Sequence, residues 1–393
     1  MSGLPSLDEV QTPALLVDGP TLVRNIAGMA ERVRGAGVAL WPHCKTHKTP
    51  EIAALQREHG ATGLTVATLR EAEVFAAASH SDLLVVYPPV GRERLDRLTE
   101  LARTARVRVV LDSEAALAGL DDACREAGVE IGWLWEVDCG TRRIGTQAGA
   151  PTAQLVAPLT QRYRRAPFDG VLTFAGYAYG AQSAEELRAI AAAERAAVRE
   201  TAEELAALGV DAPTRSVGTT PTAHQLEAAE GVTEIRPGNY VFYDATQVAL
   251  GLVPVEHCAL SVLATVVARP DPRRLILDCG SKAIAAERLT TRTIGLGLVA
   301  GHDELTVDRL FEEHAIVEAS EPSTIPIGAR MRVIPNHSCA SANLHERMLV
   351  TEGDEVVDDW RIAARGWGRA NGPEGTLAVN AAADKRRPAG PSM

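Results

Sequence analysis

The sequence predicts a (β/α)8 barrel followed by a C-terminal, mainly β domain. Three observations predict it. From Val38 onward, short apolar runs alternate with helical segments in about eight strand-then-helix units. Those runs lack polar alternation, as a parallel sheet buried on both faces requires. After Gly251 the texture changes to β-branched runs separated by turn residues, with few long helices.

The elements can be justified in order. "TPALLVD" (12–18) reads as a strand, and 21–37 reads as a helix ended by glycine. "VALWPHCK" (38–45) supplies the first barrel strand, and Pro50 suits the first turn of the helix that follows. "GLTVAT" (63–68), "DLLVVYP" (82–88), "VRVVLD" (107–112) and "EIGWLWEVD" (130–138) continue the series. "DGVLTFAGYAYG" (169–180), "TRSVGTT" (214–220) and "TEIRPGNYVFYD" (233–244) complete it. A doubly wound sheet is the alternative, but no G-x-G-x-x-G follows the first strand. "ALSVLATVVAR", "RLILDCG", "RTIGLGLV", "RMRVIPN" and "EVVDDWRIAARG" read as strands of the second domain. The expected division is a barrel over 20–248, a β domain from 1–19 and 249–378, and a disordered tail over 379–393.

Composition narrows the function. The chain has 393 residues, 46% of them hydrophobic and 23% charged, as in a soluble globular enzyme. A net charge of −11 argues against nucleic acid or an anionic membrane as partner. No apolar stretch is long enough to span a bilayer. "MSGLPSLDEV" lacks the basic start and apolar core of a secretory signal. The six cysteines form no C-x-x-C and no disulfide framework. The expectation is a cytoplasmic protein.

Three motifs bear chemistry. In "WPHCKTHKTP", Lys45 ends the first barrel strand, and barrel active sites lie at the C-terminal strand ends. A partly buried lysine there has a lowered pKa and can form a Schiff base; the alternative is a surface lysine in a basic stretch. His43 and His47 flank it and suit hydrogen bonding in a cofactor pocket. "SVGTTPT" (216–222) precedes a helix and suits a phosphate cradle of backbone N–H groups and small side chains; an ordinary N-cap loop is the alternative. Lysine and cradle facing each other across a barrel mouth suit pyridoxal phosphate, whose aldehyde and phosphate lie at opposite ends of a flat ring. In "RVIPNHSCASANL", His337 and Cys339 are separated by one residue. If that stretch is extended, both side chains face one way and can reach one metal ion. A buried cysteine beside a loop histidine is the alternative. The Glu/Arg-rich helix from Ala184 reads as a solvated barrel helix, and "FEEH" (311–314) as a solvated turn.

Together "PHCKTHKTPEIA", "VATLREAEVF", "EVDCGTRRIG", "SVGTTPT", "EIRPGNYVFYDATQ", "LFEEH" and "IPNHSCASANL" resemble the alanine racemase-like (fold type III) pyridoxal phosphate enzymes. Within them the chain resembles the D-serine dehydratase/D-threonine aldolase branch over nearly its whole length. The resemblance implies that Lys45 carries the cofactor and serves as base on Cα. It implies Arg143 near the phenolic oxygen, with Arg142 as rival, and Tyr179 at the active-site mouth. Ser216, Gly218, Thr219 and Thr220 match the phosphate loop. Arg236 and Tyr240 fall near the pyridine ring and phosphate; an ion pair of Arg236 with Glu234 is the structural alternative. His337 and Cys339 match the branch's metal ligands, with Zn²⁺ favoured over Mn²⁺ or Mg²⁺ by a thiolate beside an imidazole. The chain departs from the dehydratase pattern at Phe174 and Tyr177, where histidine is expected.

The implied reaction is elimination of water from a D-3-hydroxy amino acid, giving a 2-oxo acid and ammonia. Retro-aldol cleavage to glycine and an aldehyde is the alternative. A racemase, which needs no metal, and a non-catalytic pyridoxal phosphate carrier, usually a lone barrel, are further ones. The resemblance also implies a homodimer.

Overall fold

The structure is a computed structural model that describes residues 4–368. The expected disordered tail over 379–393 lies outside the described residues. Eight parallel strands form the first sheet. In chain order they are Ala39–Leu40, Leu64–Val66, Asp82–Val85, Arg106–Leu111, Gly132–Asp138, Phe168–Leu172, Thr214–Val217 and Glu234–Ile235. The first pairs with the last, and a bridge between His43 and Thr65 joins it to the second, so the sheet closes. Helices follow the strands, the longest being Ala184–Ala207.

Several strands are shorter than their apolar runs suggest. The first stops at Leu40, and Cys44–Thr46 forms a 3-10 turn. The sixth stops at Leu172 and is followed by a 3-10 turn at Gly176–Gly180. The eighth stops at Ile235 before the turn Asn239–Val241. Pro42 and Pro237 carry no N–H for a ladder, so pairing breaks where the chain must turn across the barrel mouth.

Inside the barrel, Trp41, Leu84, Val110, Leu134 and Leu172 pack as one buried layer. Toward the N-terminal strand ends, the Arg108 guanidinium stacks on Trp41 at 3.9 Å and pairs with Glu234 at 2.8 Å. The outer faces of the strands join a core that runs on into the second sheet.

The second sheet takes in Ala14–Asp18, between Leu260–Asp271 and Arg347–Glu352. Arg274–Leu277 pairs with both Ala315–Ala319 and Leu260–Asp271, so this part also curls shut. Arg330–Pro335 pairs with Leu260–Asp271 and leads into the helix Ser338–Leu344. The stretch holding His337 and Cys339 is therefore not extended throughout. His337 keeps extended angles as the helix N-cap, and Cys339 lies in the first turn. Among the described residues no helix is long and apolar enough to cross a membrane.

One glycine is demanded by close approach. Gly170 has φ +134°, and a Cβ there would lie 2.0 Å from the Thr214 carbonyl oxygen. Both atoms belong to paired barrel strands and cannot give way. Gly170→Ala is expected to cost about 3 kcal/mol or more of stability, read as a lowered denaturation midpoint.

Candidate active site

A cavity of about 480 Å³ opens at the C-terminal ends of the barrel strands. Its walls come from three places far apart in the chain. The loop after the first strand supplies His43, Lys45, Thr46 and Lys48. The loops after the sixth, seventh and eighth strands supply Phe174, Tyr179, Gly218, Thr219, Thr220, Arg236 and Asn239. The second sheet supplies His337, Cys339, Ala340 and Asn343.

Lys45 rises from the 3-10 turn, with its backbone N–H donating to His43 Nδ1 at 3.4 Å. Its Nζ lies 5.4 Å from the Phe174 ring centre. Burial lowers its pKa, and Arg143 and Arg236 add to this against the opposing pull of Cys339 and Glu71. His43 is buried at the cavity wall, and burial together with Lys45, Arg236 and Arg143 holds its pKa well down, so the ring is neutral. His47 does not line the cavity. It is buried with Nδ1 3.1 Å from the Thr49 backbone and its ring edge-on to Phe75. The two histidines flanking Lys45 thus have different surroundings.

The loop over 216–222 forms the opposite wall. Gly218 has φ +136°, and a Cβ there would lie 2.6 Å from the Arg236 backbone nitrogen. Thr219 caps the short helix Thr220–Ala223, its hydroxyl accepting from Thr222 N–H. Behind this loop stands Glu194, a buried carboxylate that accepts from Gly218 N–H at 3.2 Å and Ala175 N–H at 2.9 Å. The Ala184–Ala207 helix is solvated on one face, but at Glu194 it fastens two loops of the cavity. The charge pattern gave no sign of this, because a buried glutamate looks like its exposed neighbours in sequence.

Ser216 and Tyr240 are buried beneath the cavity and do not line it. Ser216 Oγ donates to Glu234 at 2.7 Å and accepts from Arg236 Nη1. Tyr240 N–H donates to Thr220 Oγ1 at 3.1 Å, and its hydroxyl accepts from Gln56 at 3.0 Å. Arg236 lines the cavity and donates to the Thr173 carbonyl at 2.6 Å. The alternative, an Arg236–Glu234 ion pair, is not formed among the described residues; Arg108 pairs with Glu234, and Ser216 lies between Glu234 and Arg236. Tyr179 lines the cavity, and burial holds its hydroxyl strongly toward the neutral form. Arg143 lies outside the lining, its guanidinium 4.8 Å from the Phe174 ring centre. Arg142 has φ +54° and donates its N–H to Asp138 at 3.0 Å. Arg143 is therefore the arginine of the pair stacked against a cavity side chain.

His337 and Cys339 both line the cavity, and each favours the other's charged form. His337 Nδ1 meets Glu287 at 2.7 Å. Burial disfavours the imidazolium, but Cys339 and Glu287 outweigh it and raise the His337 pKa to about 11. Burial likewise opposes the Cys339 thiolate, but His337, Thr46 and Lys45 outweigh it and lower the pKa. A half-buried thiol drawn toward its thiolate, near an imidazole whose Nδ1 meets a carboxylate, is a donor set that fits a soft divalent cation. Among the described residues no third His, Cys, Asp or Glu joins them to complete a metal-binding group. Asp244 is near, but its oxygens are taken by the N–H of Ser338, the amide of Asn239 and the N–H of Gln247. The fit is to an ion whose remaining positions go to water or substrate. A cofactor aldehyde and phosphate likewise fit a cavity that spans Lys45 and the 218–220 loop, with the buried Asn239 Oδ1 beside it lacking a hydrogen-bond partner.

Residues 17–246 match the family model described as alanine racemase, N-terminal domain. The chain belongs to the alanine racemase-like family. Residues 259–351 match a second model, a putative serine dehydratase domain. The chain is 35% identical over 375 residues to D-threo-3-hydroxyaspartate dehydratase of Delftia sp. (strain HT23), covering 91% of this chain and 98% of the relative. It is 34% identical over 371 residues to D-threonine aldolase of Arthrobacter sp., covering 92% and 95%. The solved D-threonine aldolase from Filomicrobium marinum superposes with TM-score 0.86 at 28% identity, over 93% of this chain and 99% of that one. Dehydratases and aldolases are both lyases, and this family member is a pyridoxal phosphate-dependent lyase.

Glu136, on the fifth strand, was not singled out by its sequence. It is buried, and burial pushes its carboxyl up to about 7 against the opposing charges of Arg236 and Arg143. A carboxyl with a folded pKa above its ordinary value loses stabilising protonation as pH rises from about 4.5 to about 7. Glu136→Gln removes that loss. It is expected to raise the thermal midpoint at pH 8 more than at pH 5, which a melting series across pH checks.

Proposed function

We propose that the chain is a pyridoxal phosphate- and zinc-dependent dehydratase. It removes water from a D-3-hydroxy amino acid, D-serine or a relative, to give a 2-oxo acid and ammonia. One observation carries this reading: the His337–Cys339 pair opens onto the same cavity as Lys45. On this reading a metal-ligating pair and the base would face one space, where a substrate's Cβ hydroxyl would meet one and its Cα proton the other.

When bound, pyridoxal phosphate supplies an electron sink at Cα, and a divalent metal on His337 and Cys339 supplies a Lewis acid for the leaving hydroxyl. Lys45 would carry the cofactor and remove the Cα proton; its lowered pKa brings the neutral Nζ closer to working pH. Gly218, Thr219 and Thr220 would hold the phosphate through N–H and hydroxyl groups. Ser216 and Tyr240 would act from beneath, by holding Arg236 and Thr220 in place. Arg143 would face the phenolic oxygen and Arg236 the ring. Tyr179, kept neutral, presents an O–H donor at the cavity wall. Glu287 would orient His337 for metal binding. The enamine released on loss of water hydrolyses to the 2-oxo acid and ammonia.

The same cavity would serve retro-aldol cleavage, the activity named for the Arthrobacter relative. The sulfur of Cys339 favours dehydration, because the resemblance pairs His with Cys in dehydratases and with Asp in aldolases. The reading includes a homodimer in the cytoplasm; the six free cysteines suit a reducing compartment.

The product assay decides between the two lyase reactions. Incubation with D-serine and D-threonine is expected to release 2-oxo acid and ammonia; glycine and an aldehyde as main products would assign an aldolase. Lys45→Ala is expected to abolish both the lysine-linked cofactor's visible absorbance and turnover. His337→Ala or chelation is expected to lower dehydration by about a hundredfold, with Zn²⁺ restoring the chelated enzyme but not the variant.

A further inference from the structure

Beyond the last strand, Glu355–Arg361, the chain runs back from the second sheet to the barrel as a strap. Ile362 N–H donates to the Glu346 carbonyl at 2.9 Å, and Ala364 N–H to the Lys48 carbonyl at 3.0 Å. Arg70 donates to the carbonyls of Arg365 at 2.6 Å and Ala363 at 3.4 Å. Ile362 and Ala364 are buried. The strap is thus held by both sheets. Gly366, at φ +92°, then turns the chain, and Trp367 joins the cavity lining, as Leu289 does. Its indole is 82% exposed. An anchored strap that carries an exposed indole at the cavity lining offers a large apolar surface to whatever enters. Leu289 extends that surface, and it stands two residues after Glu287, the partner of His337. The apolar edge therefore adjoins the place where a substrate Cβ would lie.

The charges point the same way. Among the described residues, the lysines and arginine lining the cavity are Lys45, Lys48 and Arg236; His337, also drawn toward its charged form, is taken by Glu287. Lys45 is committed to the cofactor, and Arg236 to Ser216 and Thr173. Lys48 donates to Asn343 at 2.8 Å and lies 3.6 Å from the buried Glu71. The α-carboxylate that every amino acid carries must already share Lys48. A second carboxylate on Cβ would face the Trp367 and Leu289 edge with no uncommitted lysine or arginine of the lining for itself.

We propose that Trp367 is a specificity-determining residue, and that the preferred substrates are D-3-hydroxy amino acids bearing a neutral, apolar group on Cβ rather than a second carboxylate. This rests on the lyase reading of the same cavity.

The test measures kcat/KM of the holoenzyme by substrate consumption, whichever products form, with D-threo-3-phenylserine, D-serine and D-threo-3-hydroxyaspartate. Phenylserine is expected to exceed hydroxyaspartate by about tenfold or more. Trp367→Ala is expected to lower the phenylserine-to-serine ratio about tenfold, mainly through KM, and Trp367→Phe to restore most of it. A preference for hydroxyaspartate, or equal losses for phenylserine and serine in Trp367→Ala, overturns the proposal. A second readout is titration calorimetry with D-phenylalanine and D-aspartate. Tighter binding of D-phenylalanine, weakened by Trp367→Ala, supports the proposal; tighter binding of D-aspartate sinks it. If no 3-hydroxy amino acid is consumed, the lyase reading fails, and calorimetry still decides the role of Trp367.

Discussion

Two side-chain contacts tie the loop that carries Lys45 to the helix that carries Cys339, and the site depends on them. Thr46 Oγ1 lies 3.1 Å from Cys339 Sγ, and Lys48 Nζ donates to Asn343 Oδ1 at 2.8 Å. Thr46 and Lys48 follow Lys45 in the same loop, while Cys339 and Asn343 stand four residues apart on one helix face. The loop that presents the lysine is therefore held in register with the helix that carries Cys339. Lys48 adopts φ +54°, an unusual angle for a side chain of its size, and its carbonyl also receives the C-terminal strap. Several parts of the chain converge on this one loop.

Below the cavity, the barrel interior is organised by charge as much as by packing. Arg108, Glu234, Ser216 and Arg236 form a connected buried chain, and each carboxylate or guanidinium finds a partner within the barrel. Buried charges persist in this way when they are paired and hydrogen-bonded. The result is a rigid floor that aims Arg236 upward. Glu194 does comparable work from outside the barrel, fastening the loops after the sixth and seventh strands to one carboxylate.

Much of the architecture was legible in sequence because periodicity and length report it directly. Apolar runs without alternation became parallel strands, and the change of texture after Gly251 marks the second sheet. The strand ends were less legible. Prolines at 42 and 237 stop pairing early, and the helix Ser338–Leu344 replaces an extended segment. The His337–Cys339 pair meets through a strand-to-helix turn, not through strand alternation.

The sequence by itself determined the element types, the lysine at the end of the first barrel strand, the glycine- and threonine-rich loop and the H-x-C pair. Each of these is a local pattern, and local patterns survive in one dimension. Tertiary structure alone decided which residues support them. Glu71, Glu136, Glu194, Glu287, Asn343 and Trp367 carry no local mark, and their importance comes from neighbours tens to hundreds of residues away. Burial turned some ordinary glutamates into perturbed or fastening groups, and chain reversal brought Trp367 back to the mouth. Such effects arise from proximity and exclusion of water, which exist only once the chain has folded.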